Sequence, residues 1–322
     1  MANGVYLRPR NPHYITVADA VSSGEIRQGA DGRAYYRKSS QGASAGQADV
    51  TFEDGDLVTI PKTANIVFLD GGRVYWDRSA SAGHYKKVND QDFYLGTSVG
   101  DATSAATTMT VKWNVPQERN VCLVRDPFAT TIVGTQALGG LALNRRGGAH
   151  NAVLSSTNEA QKIDMLSKDG FSVNANPIVE GAFNVLSDGA GTVVDVSMGV
   201  ASVSHATDAD SIAEHCFFHL DANNVNIYAQ SKSTGKSTVT ATDTTIDYTE
   251  GTGIANRVEW WMDCRNPADV QLYLNGVSVL PASVFDISGA TTLYLLFHVE
   301  KSSSTDTYEI DNEWLYARTA EQ

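Results

Sequence analysis

Apolar and polar residues alternate with a period of two through most of this 322-residue chain, and long stretches of helical periodicity are almost absent. Because successive side chains of a strand point to opposite faces, such alternation is typical of half-buried antiparallel strands. The pattern is clearest in four segments, at residues 179–185, 194–200, 258–264 and 308–316. It predicts an all-β fold, with one short helix near residues 158–167.

The spacing of turns predicts more than one domain. Strands before residues 100–120 are short and separated by small polar turns, and after Pro116 they lengthen. Asn275-Gly276 lies between two apolar runs, which is a strong signal for a type I′ hairpin. Long antiparallel strands of this kind fit a two-sheet jelly roll. We therefore expect three parts: an extended arm at 1–14, a small β-rich domain at 15–115 and a larger sandwich at 116–322.

Charge and cysteine content exclude several classes of partner. The chain has 24 Lys plus Arg against 37 Asp plus Glu, a formal charge of -13. Nucleic-acid affinity rests on neutralising phosphates, so we expect no nucleic-acid partner, and an anionic membrane surface is equally disfavoured. We find no apolar signal segment and no membrane span.

Three widely spaced cysteines, Cys122, Cys216 and Cys264, indicate buried thiols made in a reducing cytoplasm rather than a disulfide framework.

The first domain carries an ordered set of β motifs. An apolar segment at 52–61 precedes a glycine turn and the strand Val-Tyr-Trp-Asp at 74–77, and later strands follow at 94–99 and 110–113. Gly71-Gly72 permits a positive φ in the turn. Val74 and Trp76 are expected on one face, with Tyr75 on the other. The order resembles a small β-rich family of capsid decoration (cement) proteins from tailed-phage head operons, over roughly residues 10–115.

That resemblance implies a small β-barrel or β-tulip-like domain, and a structural protein rather than an enzyme. It implies a homotrimer seated on the outer surface of a phage head, with the major capsid protein as its partner. It carries over no catalytic residues and no cofactor. Binding the assembled shell preferentially would stabilise it.

The opening of the chain is basic and aromatic on an otherwise acidic protein. Tyr6, Arg8, Arg10 and Tyr14 lie in a proline-stiffened segment. Such a segment is either a frayed terminus or an arm that becomes ordered on the capsid or on a neighbouring subunit. We take these four residues as candidate capsid or subunit contacts.

The second domain resembles a concanavalin-type (laminin-G-like) jelly roll. The resemblance rests on residues 258–262, 270–277 and 308–314. Such folds often bind glycans, which gives an alternative function: a lectin-like adhesion module for host-surface glycans. Trp261 and Tyr273 are the candidate glycan contacts, because the alternation places them on the outer face of the sheet. The other interpretation is that these rings pack in the outer layer of the fold.

The last strand contains Glu309-x-Asp311-x-Glu313, which resembles the catalytic strand of family 16 glycosidases. Period two places the three carboxylates on one face, and Tyr308, Ile310, Trp314 and Tyr316 on the opposite face. Asn312 stands where that family usually carries an aliphatic residue. We therefore expect a solvated outer strand face and no enzyme, with a family-16-like glycosidase as the less favoured alternative.

Three other patterns suggest ligands and have simpler explanations. The segment 231–237 ends like a phosphate-binding loop, but Gln230 stands where that motif needs glycine, so we expect a hairpin tip. His215 and His219 share a strand face without a carboxylate at useful spacing, which indicates hydrogen-bonded imidazoles. The pairs Asp208/Asp210 and Asp221/Asn223 are either Asx turns or oxygen ligands for Ca²⁺. We predict no metal site.

Overall fold

A computed structural model describes residues 13–16, 25–29, 31–36, 48–51, 54–123, 130–142, 149–205 and 208–319. The chain separates into two compact units, the first ending at Glu118 and the second beginning at Arg119. The described residues are mainly strands and turns, with two 3-10 helices, Val173–Ala175 and Ala209–Ser211. The predicted all-β fold class is confirmed. No helix within these ranges is long and apolar enough to cross a membrane.

The first unit is built on a five-stranded antiparallel sheet in the order β5-β9-β8-β6-β7. Its described strands are β1 (His13–Thr16), β2 (Ile26–Gln28), β3 (Ala34–Tyr36), β4 (Ala48–Thr51), β5 (Leu57–Pro61), β6 (Arg73–Asp77), β7 (Ala82–His84), β8 (Phe93–Val99) and β9 (Thr108–Trp113). Lys62 forms a parallel bridge with Gly83, and the Thr63 N–H donates to the Gly83 carbonyl at 3.0 Å. The two edges of the sheet therefore meet, and the sheet closes into the small barrel that the sequence predicts.

Strand β6 follows the alternation expected from its sequence. Val74 and Trp76 are buried, and Tyr75 is partly exposed with its ring edge-on to Tyr94 at 5.5 Å between centroids. Gly71 has a φ of 73°, which explains the glycine in the preceding turn. The aromatic ring of Trp76 is thus part of the barrel core.

The second unit is a sandwich of two eight-stranded antiparallel sheets. Sheet I has the order β12-β13-β25-β16-β21-β22-β23, with β10 beside β25; sheet II has the order β11-β14-β24-β17-β18-β19-β20, with β15 beside β24. The strands are β10 (Val121–Cys122), β11 (Thr130–Val133), β12 (Leu138–Ala142), β13 (Ala149–Leu154), β14 (Glu159–Leu166), β15 (Phe171–Ser172), β16 (Pro177–Ser187), β17 (Val194–Ala201), β18 (His215–Asp221), β19 (Asn226–Lys232), β20 (Val239–Asp247), β21 (Val258–Asp263), β22 (Gln271–Leu274), β23 (Val277–Val279), β24 (Thr292–Ser304) and β25 (Tyr308–Thr319). The last two strands lie in the middle of the two sheets, between strands from the first half of the unit. This is the concanavalin-like jelly roll that the sequence predicts.

One apolar core fills the space between the two sheets. Phe218 of sheet II packs against Trp260 of sheet I with 5.3 Å between ring centroids, and both are almost fully buried. Val179 and Phe297 belong to the same cluster. Each sheet therefore has one face in the core and one outward face, and polar side chains with function are to be sought on the outward faces.

The predicted helix near residues 158–167 is wrong, because this segment forms strand β14. Its residues Glu159 to Lys162 favour helices intrinsically, but Ile163 and Met165 point into the core with a period of two. Pairing with β24 on one side and β11 on the other satisfies the backbone. Tertiary pairing overrides local propensity here.

The predicted type I′ hairpin is present between β22 and β23. Asn275 and Gly276 both have positive φ, 49° and 85°. The Asn275 N–H also donates to the Glu259 carbonyl at 2.7 Å, and its side-chain oxygen accepts the Glu259 N–H at 3.1 Å. The turn is thus tied to strand β21.

A β-bulge interrupts the alternation of β25. Ala182 of β16 lies opposite Trp314, but the next residue, Phe183, lies opposite Asn312. Glu313 is therefore an extra residue on β25 with no directly paired partner on β16. One extra residue exchanges the two faces of every position beyond it.

The bulge makes one sequence prediction wrong: Trp314 and Tyr316 do not share the face of the preceding apolar residues. The core cluster takes residues of even number before the bulge and of odd number after it: Tyr308, Ile310, Leu315 and Ala317. Trp314 and Tyr316 consequently lie on the outward face of sheet I, together with the carboxylates of the same strand.

Gly181 provides the space for the core indole. A Cβ at this position would lie 2.3 Å from Cζ2 of Trp260, and the glycine φ is not in the left-handed region. We therefore expect Gly181→Ala to lower the free energy of unfolding by about 1–3 kcal/mol through overpacking. Gly140→Ala, in β12 of the same sheet with open space around the position, is the matched control. Urea unfolding of both variants checks this, and equal stability of the two would contradict it.

Candidate functional site

The outward face of sheet I brings the three carboxylates of β25 together with two amides. The Asn151 amide on β13 donates to Glu309 at 3.0 Å and to Asp311 at 2.9 Å. The Asn184 amide on β16 donates to Glu313 at 2.8 Å. Asp311 is 1% exposed, so the expectation of a solvated strand face is wrong at this residue, whereas Glu309 and Glu313 are partly exposed. The neighbouring strands supply the amide donors that hold these carboxylates.

Aromatic side chains lie on the same face. Trp261 and Tyr273 are directly opposite each other on β21 and β22, with ring centroids 5.9 Å apart and planes at 19°. Trp261 is only 7% exposed, and Tyr273 is partly exposed. Trp314 is also partly exposed, with the Arg257 guanidinium 4.7 Å from its ring centroid. Tyr273 and Trp314 are therefore the more accessible rings, and glycan contact at Trp261 stays a prediction.

Beside these rings lies a buried ion pair. Glu180, opposite both Tyr316 and Trp261 in the register, accepts from the Arg318 guanidinium at 2.8 and 3.0 Å and from the Tyr316 hydroxyl. The guanidinium of Arg119 covers the Tyr316 ring at 4.6 Å. The Glu180 carboxylate and the Arg318 guanidinium pair with each other, so neither charge is buried without a partner, which would be costly.

The outward face of sheet II carries a second polar arrangement. Five residues that occupy one register position across β14, β24, β17, β18 and β19 form what we call the histidine row: Asp164, His298, Ser197, His219 and Tyr228. The His298 Nδ1 lies 2.8 Å from Asp164 Oδ1, and both side chains are buried. The His298 Nε2 lies 3.2 Å from Glu300 Oε2. Burial alone would lower the pKa of His298, but the two carboxylates raise it to about 9.

His219 lies between two further carboxylates. Its Nε2 is 2.9 Å from Asp195 Oδ1 and 3.0 Å from Asp221 Oδ1, and we call these three residues the Asp–His–Asp cluster. The other ring nitrogen is 3.4 Å from the Ser197 hydroxyl. Burial lowers the pKa of His219, and the two carboxylates outweigh it and raise the pKa to about 10.

The expectation that no carboxylate lies near this histidine pair is wrong. Asp221 follows His219 by two residues on the same strand, so period two already places it on the same face. That signal was available in the sequence. Asp195 was not predictable, because it arrives through the pairing of β17 with β18. His215, by contrast, is a buried imidazole bonded to the Ile212 carbonyl at 2.9 Å, and burial lowers its pKa.

Other predicted ligands have structural roles. Asp208 caps the 3-10 helix that follows it by accepting the Asp210 N–H at 2.8 Å, which confirms an Asx turn. Segment 231–237 contains the hairpin tip between β19 and β20, with Gly235 at a φ of 74°. The three cysteines all lie in described segments and are free thiols. Cys216 and Cys264 are buried as predicted, whereas Cys122 is partly exposed. Burial raises the pKa of Cys216 to about 12.

The predicted contacts of the N-terminal arm fall at or beyond the limit of the described residues. Tyr6, Arg8 and Arg10 lie outside them. Tyr14 lies in β1, whose backbone pairs with β4, and only its backbone is among the described parts of the chain. The role of these four residues in capsid or subunit contact stays a prediction.

No protein-family model and no curated protein matches the chain. Among solved structures, the potassium-bound carbohydrate recognition domain of Emp46p is similar at 10% identity and a TM-score of 0.43, covering 64% of this chain and 100% of that one. Lectin UEA-II complexed with galactose is similar at 13% identity and a TM-score of 0.39, covering 62% and 100%. A Bacteroides ovatus mixed-linkage glucan GH16 protein in complex with its product is similar at 9% identity and a TM-score of 0.41, covering 59% and 94%. Likenesses this remote leave the function to be inferred from the site.

Proposed function

We propose that the second unit is a glycan-binding module and that the outward face of sheet I is its binding surface. The observation that carries this proposal is the placement of carboxylate, amide and aromatic groups on one sheet face. Carboxylates accept hydrogen bonds and amides both donate and accept them, which suits the vicinal hydroxyls of a sugar. Aromatic side chains offer an apolar face on which the C–H side of a sugar ring can stack. Small-molecule sites combine a few polar groups with such apolar surfaces.

The accessible members of this face define where a sugar would lie. Asn151, Glu309 and Glu313 are partly exposed, as are Tyr273 and Trp314. They belong to strands β13, β25 and β22, so the surface extends across the sheet. A site spread over several strands is suited to a chain of sugar units, and many weak sites on one particle would gain avidity from multivalency.

The test is a glycan array followed by calorimetry with the best ligand. We expect Tyr273→Ala to weaken binding about five- to tenfold, because one stacking ring contributes about 1–1.4 kcal/mol. Tyr75→Ala, a partly exposed tyrosine of the first unit, is the control and should bind as the parent does. The absence of any glycan ligand for a folded protein, or equal affinity of the two variants, would overturn the proposal.

We propose binding without cleavage. Glu309 and Asp311 share the Asn151 amide, and Asp311 is buried. Asn312 is also buried, at the position where family 16 glycosidases usually carry an aliphatic residue. Incubation with β-glucans should therefore release no reducing ends. Hydrolysis that disappears in Glu309→Gln would replace this proposal with the glycosidase alternative.

Capsid decoration is the second candidate, and it concerns the first unit. Its support is that the motif of the phage-family resemblance forms strand β6 of a barrel closed by the Lys62–Gly83 bridge. In this proposal the unit binds the major capsid protein as a homotrimer on the outer head surface, and the sandwich presents its glycan surface from there. A trimer mass and co-sedimentation with capsids support it; a monomer that fails to co-sediment with them contradicts it.

A further inference from the structure

We propose that the Asp–His–Asp cluster (Asp195, His219 and Asp221) binds one divalent transition-metal ion of the Zn²⁺ or Mn²⁺ class on the outward face of sheet II. The inference does not depend on glycan binding, which concerns the opposite sheet.

The donor atoms are already close enough to share an ion. One nitrogen and two carboxylate oxygens, one from each residue, all lie within 4.8 Å of one another. Metal–ligand bonds of about 2.0–2.2 Å place the donors of one ion up to about 4.4 Å apart. Shifts of a few tenths of an ångström would complete the arrangement, and two of the three side chains lie at the solvent surface, where such shifts are easy.

The hydrogen bonding within the cluster is incomplete. Nε2 of His219 lies 3.0 Å from Asp221 Oδ1, and this nitrogen has at most one proton to donate. Asp195 Oδ1 lies 2.9 Å from the same nitrogen, is buried, and accepts no hydrogen bond. One N–H shared between two carboxylates pairs neither of them fully, whereas a cation that displaces this proton to solvent can bind both carboxylates and the imidazole nitrogen. The buried acceptor is the independent sign that a ligand belongs here.

The surroundings support the histidine as a ligand. His219 is 5% exposed, and its Nδ1 lies 3.4 Å from the Ser197 hydroxyl. Metal-bound histidines nearly always hold a polar partner at the second ring nitrogen, which fixes the tautomer and the ring orientation. Ser197 supplies that partner from the middle strand of the histidine row.

Charge and access also favour a cation. The side chains of Asp195 and Asp221 are 38% and 44% exposed, so an ion reaches the cluster from solvent. Glu300 is directly opposite Asp195 but is paired with His298, so the negative charge at the cluster comes from Asp195 and Asp221. A mixed imidazole and carboxylate set suits Zn²⁺ and Mn²⁺ better than Ca²⁺ or Mg²⁺, which prefer oxygen alone.

Calorimetric titration of the tag-free full chain with Zn²⁺ and Mn²⁺ tests the proposal, with Co²⁺ absorption as a spectroscopic report of the coordination. We expect one ion per chain. Loss of a direct ligand should cost at least the 10- to 100-fold that loss of an outer partner costs, so Asp195→Asn and Asp221→Asn should each weaken binding by about tenfold or more. Asp243→Asn, an exposed aspartate on neighbouring β20, makes the same charge change outside the cluster and should bind as the parent does.

Both ligand variants change partly exposed side chains, and thermal unfolding without metal confirms that each is folded. Stoichiometric binding lost in both ligand variants and kept in Asp243→Asn supports the site. No stoichiometric binding to the parent, or equal binding by all four proteins, overturns it. Preference for Ca²⁺ or Mg²⁺ over both transition metals overturns the assigned metal class.

Discussion

Lys301→Met is expected to lower the free energy of unfolding by about 3–5 kcal/mol. Lys301 is 3% exposed, and its ammonium shares three N–H donors among four backbone carbonyls, those of Ser155, Thr157, Ser304 and Asp306. A buried acceptor left without a donor costs about 1–3 kcal/mol. The residues that carry these carbonyls are partly or fully exposed, so we expect water to replace some of the lost donors. Methionine keeps the apolar stem and removes all the donors.

The position of these carbonyls explains why a single side chain has so large an effect. Residues 155–158 connect β13 of sheet I to β14 of sheet II, and residues 305–307 connect β24 of sheet II back to β25 of sheet I. Lys301 therefore holds together two connections between the sheets. Burial lowers its pKa, but the carbonyl dipoles suit the charged form.

Urea unfolding measures the effect, with Lys168→Met as the control. Lys168 is exposed in the turn after β14, and surface substitutions of this kind change stability by about 0.5 kcal/mol or less. A Lys301→Met variant as stable as the Lys168→Met variant would show that water replaces the ammonium in the cage.

The sequence predicts the strands of the sandwich well because their faces differ in polarity. In β16, β17 and β21, alternate residues enter the core. This period of two is specific to strands, because a helix repeats every 3.6 residues. The same reasoning fails at the bulge on β25. Whether Glu313 is an extra residue depends on how β25 pairs with β16, and pairing is a property of two distant segments. The outward position of Trp314, on which the proposed glycan surface depends, could not be read from its own strand.

The sites show the same division between local and distant information. The partnership of His219 with Asp221 is local, because the two residues are neighbours on one strand face. Asp195 joins them only through the register of β17 against β18. Lys301 is an intermediate case. It occupies the next alternate position after Leu295, Phe297 and Val299, which face the core from β24. A lysine at such a position signals buried hydrogen bonding, and only the fold identifies the carbonyls that accept it.

Between about pH 6 and about pH 9, the parent protein should lose about 3 kcal/mol of stability that a His298→Gln variant does not lose. The pKa of His298 is raised from 6.5 to about 9 in the folded chain. Protonated His298 therefore contributes fully below its unfolded pKa, and the contribution disappears as the pH rises through the folded value. The loss is about 1.36 kcal/mol for each pH unit that separates the unfolded pKa from the folded pKa. The charged groups that face it are Asp164 on β14 and Glu300 on its own strand, with Lys162 opposite Glu300.

The measurement is urea unfolding of the parent and the variant at several pH values. The quantity of interest is how the difference between their free energies of unfolding changes with pH. This difference removes the parallel contribution of His219, whose pKa is also raised. His215→Gln is a control of opposite sign, because burial lowers the pKa of His215, so its contribution is present above about pH 6.5 and is lost on acidification. A parent-minus-His298→Gln difference that stays constant from about pH 6 to about pH 9 would mean that His298 is neutral in the fold, bonded to Asp164 without an ion pair.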